Sequence, residues 1–147
     1  MTRRMLRWWF TGLACGMVAL TLAMSGRTQS TAVRFTSVTG GIQDNVTGLL
    51  WQQPLSAGTY TFSGAQTYCA SLGSGWRAPS MKEVQTIIDR NRSNPPLDPI
   101  FGGTPVVEFW TSSQFVKDAS KGWRIHLGAG GVSPQVASML LPVRCVR

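Results

Sequence analysis

The sequence predicts an α+β domain: short antiparallel strands, two helices, a long irregular loop, then strands again. Three observations predict it. Apolar residues recur at helical spacing in two stretches, 63–73 and 80–89. The run NRSNPPLDPIFGGTP (91–105) holds four Pro and two Gly and cannot be a regular element. The remaining apolar text comes in short pieces bounded by turn residues, as strands do. A chain of 147 residues fits one domain, and with only 14% charged residues but six Trp and six Phe it can build a packed core. One His and three Cys leave no material for multi-His metal sites or four-Cys zinc sites.

Residues 1–25, MTRRMLRWWFTGLACGMVALTLAMS, stand apart. Arg3, Arg4 and Arg7 precede an uncharged run from Trp8 to Met24, and Ala23-Met24-Ser25 sets small residues before a cut at Gly26. That is the layout of a secretory signal peptide. The alternative is an uncleaved anchor, because the 17 apolar positions reach only the lower limit for spanning a bilayer. Cys15 lacks the leucine three places earlier that a lipoprotein cysteine has, and it reads as a small apolar signal residue. Thr2-Arg3-Arg4-Met5-Leu6 is faintly similar to a twin-arginine export signal. Export leaves the rest periplasmic or extracellular, whereas an anchor leaves it tethered to the inner membrane. Removing 1–25 also removes three positive charges, so part of the formal +8 belongs to the leader.

Residues 26–32 form a polar leader, and the domain runs over 33–147. VRFTSVTGG and QDNVTGLLWQQP predict short strands, with turns at Thr39-Gly40-Gly41 and Asp44-Asn45 and a stop at Pro54. Ser63-Gly-Ala-Gln66 matches a capping box opening the first helix; Ala65, Tyr68, Cys69 and Leu72 then share one face, and Gly73 ends it. Ser80-Met-Lys-Glu83 opens the second helix, whose buried stripe is Val84, Ile87 and Ile88. In the long loop, Ile100 and Phe101 supply apolar staples. Val107–Ser112, Trp123–Leu127 and Leu141–Val146 close the chain as strands. Asn45-Val-Thr and Asn91-Arg-Ser match the glycosylation sequon, by chance unless the host glycosylates exported proteins.

The exported part keeps two cysteines, Cys69 and Cys145, in a compartment where disulfides persist. Pairing them closes a long loop and destabilises the unfolded chain by roughly 4–4.5 kcal/mol in the loop-entropy account. The alternative is two separate buried thiols. The disulfide is the expectation.

DNVTGLLWQ (44–52), AQTYCASLGSGWRAPSMKEVQTIID (65–89), FWTSS (109–113), GWRIHLGAGG (122–131) and PVRCVR (142–147) together resemble the bacterial Lcl C-terminal domain family, a domain of unknown function. The resemblance covers 34–147 and implies a C-type-lectin-like fold: terminal strands side by side, a disulfide from the first helix to the last strand, and two helices with short antiparallel strands around a long irregular loop. The chain departs from the pattern at Gly75, where the family has Asp, at Ala78, where it has Leu, and over Ser133–Leu141, which carries fewer charges.

No active site assembles from these residues. Trp51, Trp76, Trp110 and Trp123 could stack sugars, but core anchoring is the stronger reading. Arg77 could grip an anion, although a structural bond to a carboxylate or to carbonyls across its turn is the stronger expectation. Calcium-dependent sugar binding needs more oxygen ligands than Asn94-Pro95-Pro96 and Asp98-Pro99 offer. Formylglycine-generating relatives of the fold need a reactive thiol pair, which the disulfide consumes. His126 has no evident partner, and Asp44, Glu83 and Asp89 have turn or helix-end roles available. No catalytic residue, metal or cofactor is therefore expected. Arg90, Arg92, Lys117, Lys121 and Arg124 form the candidate ligand-binding set, on the expectation that the loop folds over the late strands and that few acids oppose them. The expected function is an exported, non-enzymatic binding module of the cell envelope or exterior, with polysaccharide, a polyanionic glycan or a protein as ligand. No nucleic acid is expected, and membrane contact comes only through an uncleaved N-terminal segment. The alternative is a structural envelope protein tethered by that segment.

Overall fold

A computed structural model describes residues 33–102, 108–128 and 131–147. The signal and leader expected over 1–32, and Val107 at the start of an expected strand, lie outside the described residues. β1 (Phe35–Val38) and β2 (Gly41–Asp44) form a hairpin in the register Phe35↔Asp44, and Gly40 turns it with φ +92°. Only glycine adopts that φ without strain. β3 (Leu50–Trp51) returns along β2, pairing Ile42 with Trp51. The turn between them is set by Asp44, whose carboxylate accepts from Val46 N at 3.0 Å while its carbonyl accepts from Gly48 N at 2.8 Å.

α1 (Phe62–Ser71) starts two residues earlier than its sequence predicts. Its N-cap is Thr61, whose hydroxyl accepts from Gly64 N at 3.1 Å, and not Ser63. The earlier start brings Phe62 into the core with Ala65 and Cys69, whereas Leu72, expected on the buried face, is 39% exposed at the C-cap. Gly73 ends the helix at φ +121°, as expected. α2 (Met81–Ile87) carries the expected capping box: Ser80 Oγ accepts from Glu83 N at 3.2 Å and Glu83 Oε2 accepts from Ser80 N at 2.7 Å. Val84 and Ile87 are fully buried.

In the long loop Asp98 caps a 3₁₀ turn, Pro99–Phe101, by accepting from Ile100 N at 2.9 Å. Phe101 is buried edge-on against Phe35, ring centres 5.1 Å apart, and Ile100 is half-buried behind it, so both expected staples hold. The second sheet is β4 (Glu108–Gln114), β5 (Lys121–His126) and β6 (Gly131–Val136), antiparallel in that order. Gly122 on β5 is required by packing, because a Cβ there would lie 2.1 Å from a ring carbon of Phe62. β6 was not expected as a strand. It sits at the sheet edge with Pro134 opposite Trp123, and Ala137 N, three places on, bonds Ser120 O. Pro134 is thus out of phase with the donors that face β5, so its missing N–H falls on the open side.

The expected last strand, Leu141–Val146, is an extended strap that changes partners rather than a regular ladder. On one side it bonds the run after β2: Leu141 with Tyr60, Val143 with Ser56, Cys145 O with Gln52 N, and Arg147 with Leu50. On the other, Pro142 O accepts from Trp110 N on β4, and Val146 pairs with Arg77 before α2. Pro142 serves only as an acceptor at its bridge, which suits a residue without an N–H. The strap thereby joins the two sheets.

Two buried clusters flank it. One gathers Ile42, Trp51, Ile87, Phe101, Phe109 and Val146; the other gathers Phe62, Cys69, Trp110, Val143 and Cys145. Cys69 and Cys145 are joined, Cα atoms 5.5 Å apart, tying α1 to the strap. The order of elements and the disulfide are those expected of a C-type-lectin-like domain, whereas the expected side-by-side terminal strands are replaced by pairing of the strap with β3 and the run after it, β1 being paired with β2. Cys69→Ser should cost roughly 2–5 kcal/mol of unfolding free energy, read by urea denaturation of oxidised wild type and variant. A variant as stable as wild type would leave the strap held by hydrogen bonds and packing alone.

Candidate functional site

The loop after α2 leaves the helix at Ile88, where ψ turns to 120°. It is pinched shut by Asp89 N donating to Pro96 O at 2.8 Å, and the intervening residues 90–94 are exposed. Two adjoining clefts flank this loop. One, of about 360 Å³, lies between Arg34, Phe35, Ile88, Arg90, Asn91 and Asp98. The other, of about 480 Å³, lies between Arg92, Ser93, Pro95, Asp98, Pro99 and Gly102. Asp98 lines both. Arg34 is fixed at the first by donating to Asp44 Oδ2 at 3.1 Å and to Thr86 O at 2.6 Å. Burial pushes the Asp44 carboxyl up, but bonds from Arg34 and Val46 N outweigh it and hold the group below its ordinary value.

All six acids of the chain lie among the described residues, and five are ion-paired. Asp44 pairs with Arg34, Glu83 with Arg77, Asp89 with Arg92 at 3.0 Å, Asp118 with Lys121 at 3.0 Å, and Glu108 with Arg124. The expectation that few acids oppose the candidate cations therefore fails for Arg92, Lys121 and Arg124. Arg90 and Lys117 have no acidic partner among the described residues. The five predicted residues fall in three places. Arg90 and Arg92 border the loop clefts; Lys117 lies in the β4–β5 turn and Lys121 opens β5 beside it; Arg124 lies within β5 beside Glu108, whose other oxygen is 3.7 Å from His126 Nε2. Arg34 and Asp98 were not predicted at the clefts. The available signal for Arg34 was its place beside the β1 residue that faces Asp44 in the hairpin register.

Trp51 and Trp110 are fully buried, as core anchors. Trp76 and Trp123 are half-buried: Arg147 lies over the Trp76 ring at 5.1 Å, and Phe115 meets Trp123 edge-on at 5.3 Å. Arg144 is fully buried; it donates to Gln52 O at 2.9 Å, to Gln53 O and to Phe101 O, and stacks over the Phe101 ring at 5.0 Å. Burial pushes its pKa down to about 10, so the guanidinium stays charged at neutral pH. Among the described residues no three of His, Cys, Asp and Glu come together as a metal site.

Arg77 takes its expected structural role, gripping Glu83 with bonds of 2.8 and 2.6 Å. Those bonds, with further ones from Ser80, hold the Glu83 carboxyl down at about 2. A carboxyl lowered on folding stabilises the fold fully above its unfolded pKa, near 4.3, and loses that contribution as pH falls toward its folded value. Stability should therefore fall between about pH 4.5 and pH 2, and Glu83→Gln should flatten that part of the profile in urea melts. The pair is partly solvated, with Arg77 half exposed, so the effect is modest. An unchanged slope in the variant would assign acid sensitivity to the other carboxylates.

Among solved structures, EMS16, described as an antagonist of the collagen receptor integrin α2β1, aligns over 78% of this chain and 96% of its own at 8% identity, with a TM-score of 0.47. No curated protein matches the sequence. The family model of the Lcl C-terminal domain matches residues 40–147, well over half of the chain. The chain belongs to the Lcl C-terminal domain family.

Proposed function

We propose that the chain is an exported, non-enzymatic binding module of the cell envelope or exterior, recognising a polyanionic glycan through the cationic surface that begins at the loop clefts. One observation carries the reading. With five acids engaged in ion pairs and Asp98 used as a cap, the positive excess of the described residues rests on a few side chains, among them Lys82, Arg90 and Lys117, that no acid neutralises. An unpaired exposed cation is available to a sulfate or carboxylate without first breaking an ion pair, and such contacts are strongly screened by salt.

The domain should be retained on a heparin-like matrix at low ionic strength and elute as salt rises. Arg90→Glu with Lys117→Glu should shift elution to distinctly lower salt. Lys82→Glu with Arg147→Glu makes the same change in charge elsewhere and should shift it less. Equal shifts would mean that net charge alone is at work and that no ligand face exists.

Export supplies the setting for this function. Its support is the arginine-led apolar run with small residues before Gly26, together with a cysteine pairing suited to an oxidising compartment. A tagged full-length chain should be recovered outside the cytoplasm at a mass lacking about 25 residues. Recovery at full mass in the membrane fraction would replace cleavage by an inner-membrane anchor.

A further inference from the structure

The chain carries two Asn-x-Ser/Thr sequons, and the fold treats them differently. At the first, Asn45 is exposed but its carboxamide is occupied: Nδ2 donates to Val33 O at 2.9 Å and to Thr36 Oγ1 at 2.9 Å. The hydroxyl two residues on, at Thr47, accepts from Leu49 N at 3.4 Å. This carboxamide ties the β2–β3 turn to the β1 segment, and a glycan on Nδ2 would replace one of the two hydrogens that make the tie. At the second, Asn91 sits in the exposed loop pinched off by Asp89 and Pro96. Its backbone N–H is held by Asp89 Oδ1 at 2.9 Å, which fixes the turn, while its carboxamide has no hydrogen-bond partner among the described residues. Nor does the hydroxyl of Ser93, two places on, and every residue from Arg90 to Asn94 is exposed.

We infer that Asn91 is an N-glycosylation acceptor and that Asn45 is not. The Asn-x-Ser/Thr pattern marks exposed loops of exported chains, and of the two sites only Asn91 offers both amide and hydroxyl free. In the transfer, Asn91 Nδ2 attacks the anomeric carbon of a polyprenyl-pyrophosphate-linked oligosaccharide. A C–N bond forms and the C–O bond to the pyrophosphate breaks. The electron pair leaves with the lipid pyrophosphate, and an amide proton passes to a base of the transferase. Because Asn91 lines the smaller cleft, a glycan there covers the surface assigned above to ligand binding. This consequence rests on that assignment; acceptor competence does not, and export is needed only in the cell.

The experiment uses the purified, oxidised chain with a single-subunit oligosaccharyltransferase that reads Asn-x-Ser/Thr alone, its lipid-linked donor, and a control peptide proving that the enzyme turns over. Intact mass should rise by one glycan, peptide mapping should place it on Asn91, Asn91→Gln should abolish it, and Asn45→Gln should leave it unchanged. No added mass while the control peptide is glycosylated, or a glycan on Asn45, overturns the inference. Heparin-matrix retention, measured separately with unglycosylated protein, keeps failure of the ligand reading distinct from failure of this one.

Discussion

The structure depends on where its last seven residues lie. A strap of residues 141–147 takes hydrogen bonds from the β3 side on one edge and from β4 and the turn before α2 on the other, so neither sheet has its full set of partners without it. β3 is only two residues long, and a strand so short has little stability of its own. Its pairing to the strap through Leu50 and Gln52 supplies what β2 alone cannot. The disulfide acts on the same strap: by fixing Cys145 to α1 it sets the register of the bonds on either side of it.

The strap also positions the loop. Arg144 reaches from it to the carbonyls of Gln52, Gln53 and Phe101, and stacks on the Phe101 ring. A buried guanidinium is costly unless its donors are met, and here it meets the backbone carbonyls of Gln52 and Gln53 after β3 and of Phe101 in the 3₁₀ turn. Phe101 is thereby held against Phe35 of β1, and the smaller loop cleft opens between Phe35 and the end of α2. A cationic residue of the core thus shapes a surface on which it is not itself exposed.

Local chemistry was legible in the sequence and long-range chemistry was not. Ser80 and Glu83 announce their capping box because both partners lie within one helical turn, and Arg77, expected to bond either a carboxylate or carbonyls across its turn, finds the carboxylate at Glu83, six residues on. The same local pattern misled at α1: Ser63 and Gln66 have the right spacing, but burial of Phe62 under Gly122 moves the start of the helix to the turn that Thr61 caps. β6 escaped notice because Pro134 and a weak apolar alternation disguise an edge strand. The carbonyl partners of Arg144 lie up to 92 residues away, and no spacing rule reaches them. The candidate cations were found by composition, but which remain unpaired depends on Asp89, Glu108 and Asp118, whose positions only the fold supplies.

That distinction bears on how a basic chain is to be read. A net charge counts every lysine and arginine alike, whereas the fold sorts them into classes with different reach. Arg144 is consumed inside, and Arg34 and Arg77 are committed to holding a turn and a helix start. Arg92 and Lys121 face acids three residues away in pairs so exposed that they contribute little stability, and a polyanion could displace those acids at small cost. Arg90 and Lys117 have nothing to displace. Affinity for a polyanion should therefore be graded across the surface, strongest where unpaired cations stand beside weakly paired ones. Both kinds occur together at the loop, with Arg90 and Arg92, and at the β4–β5 turn, with Lys117 and Lys121.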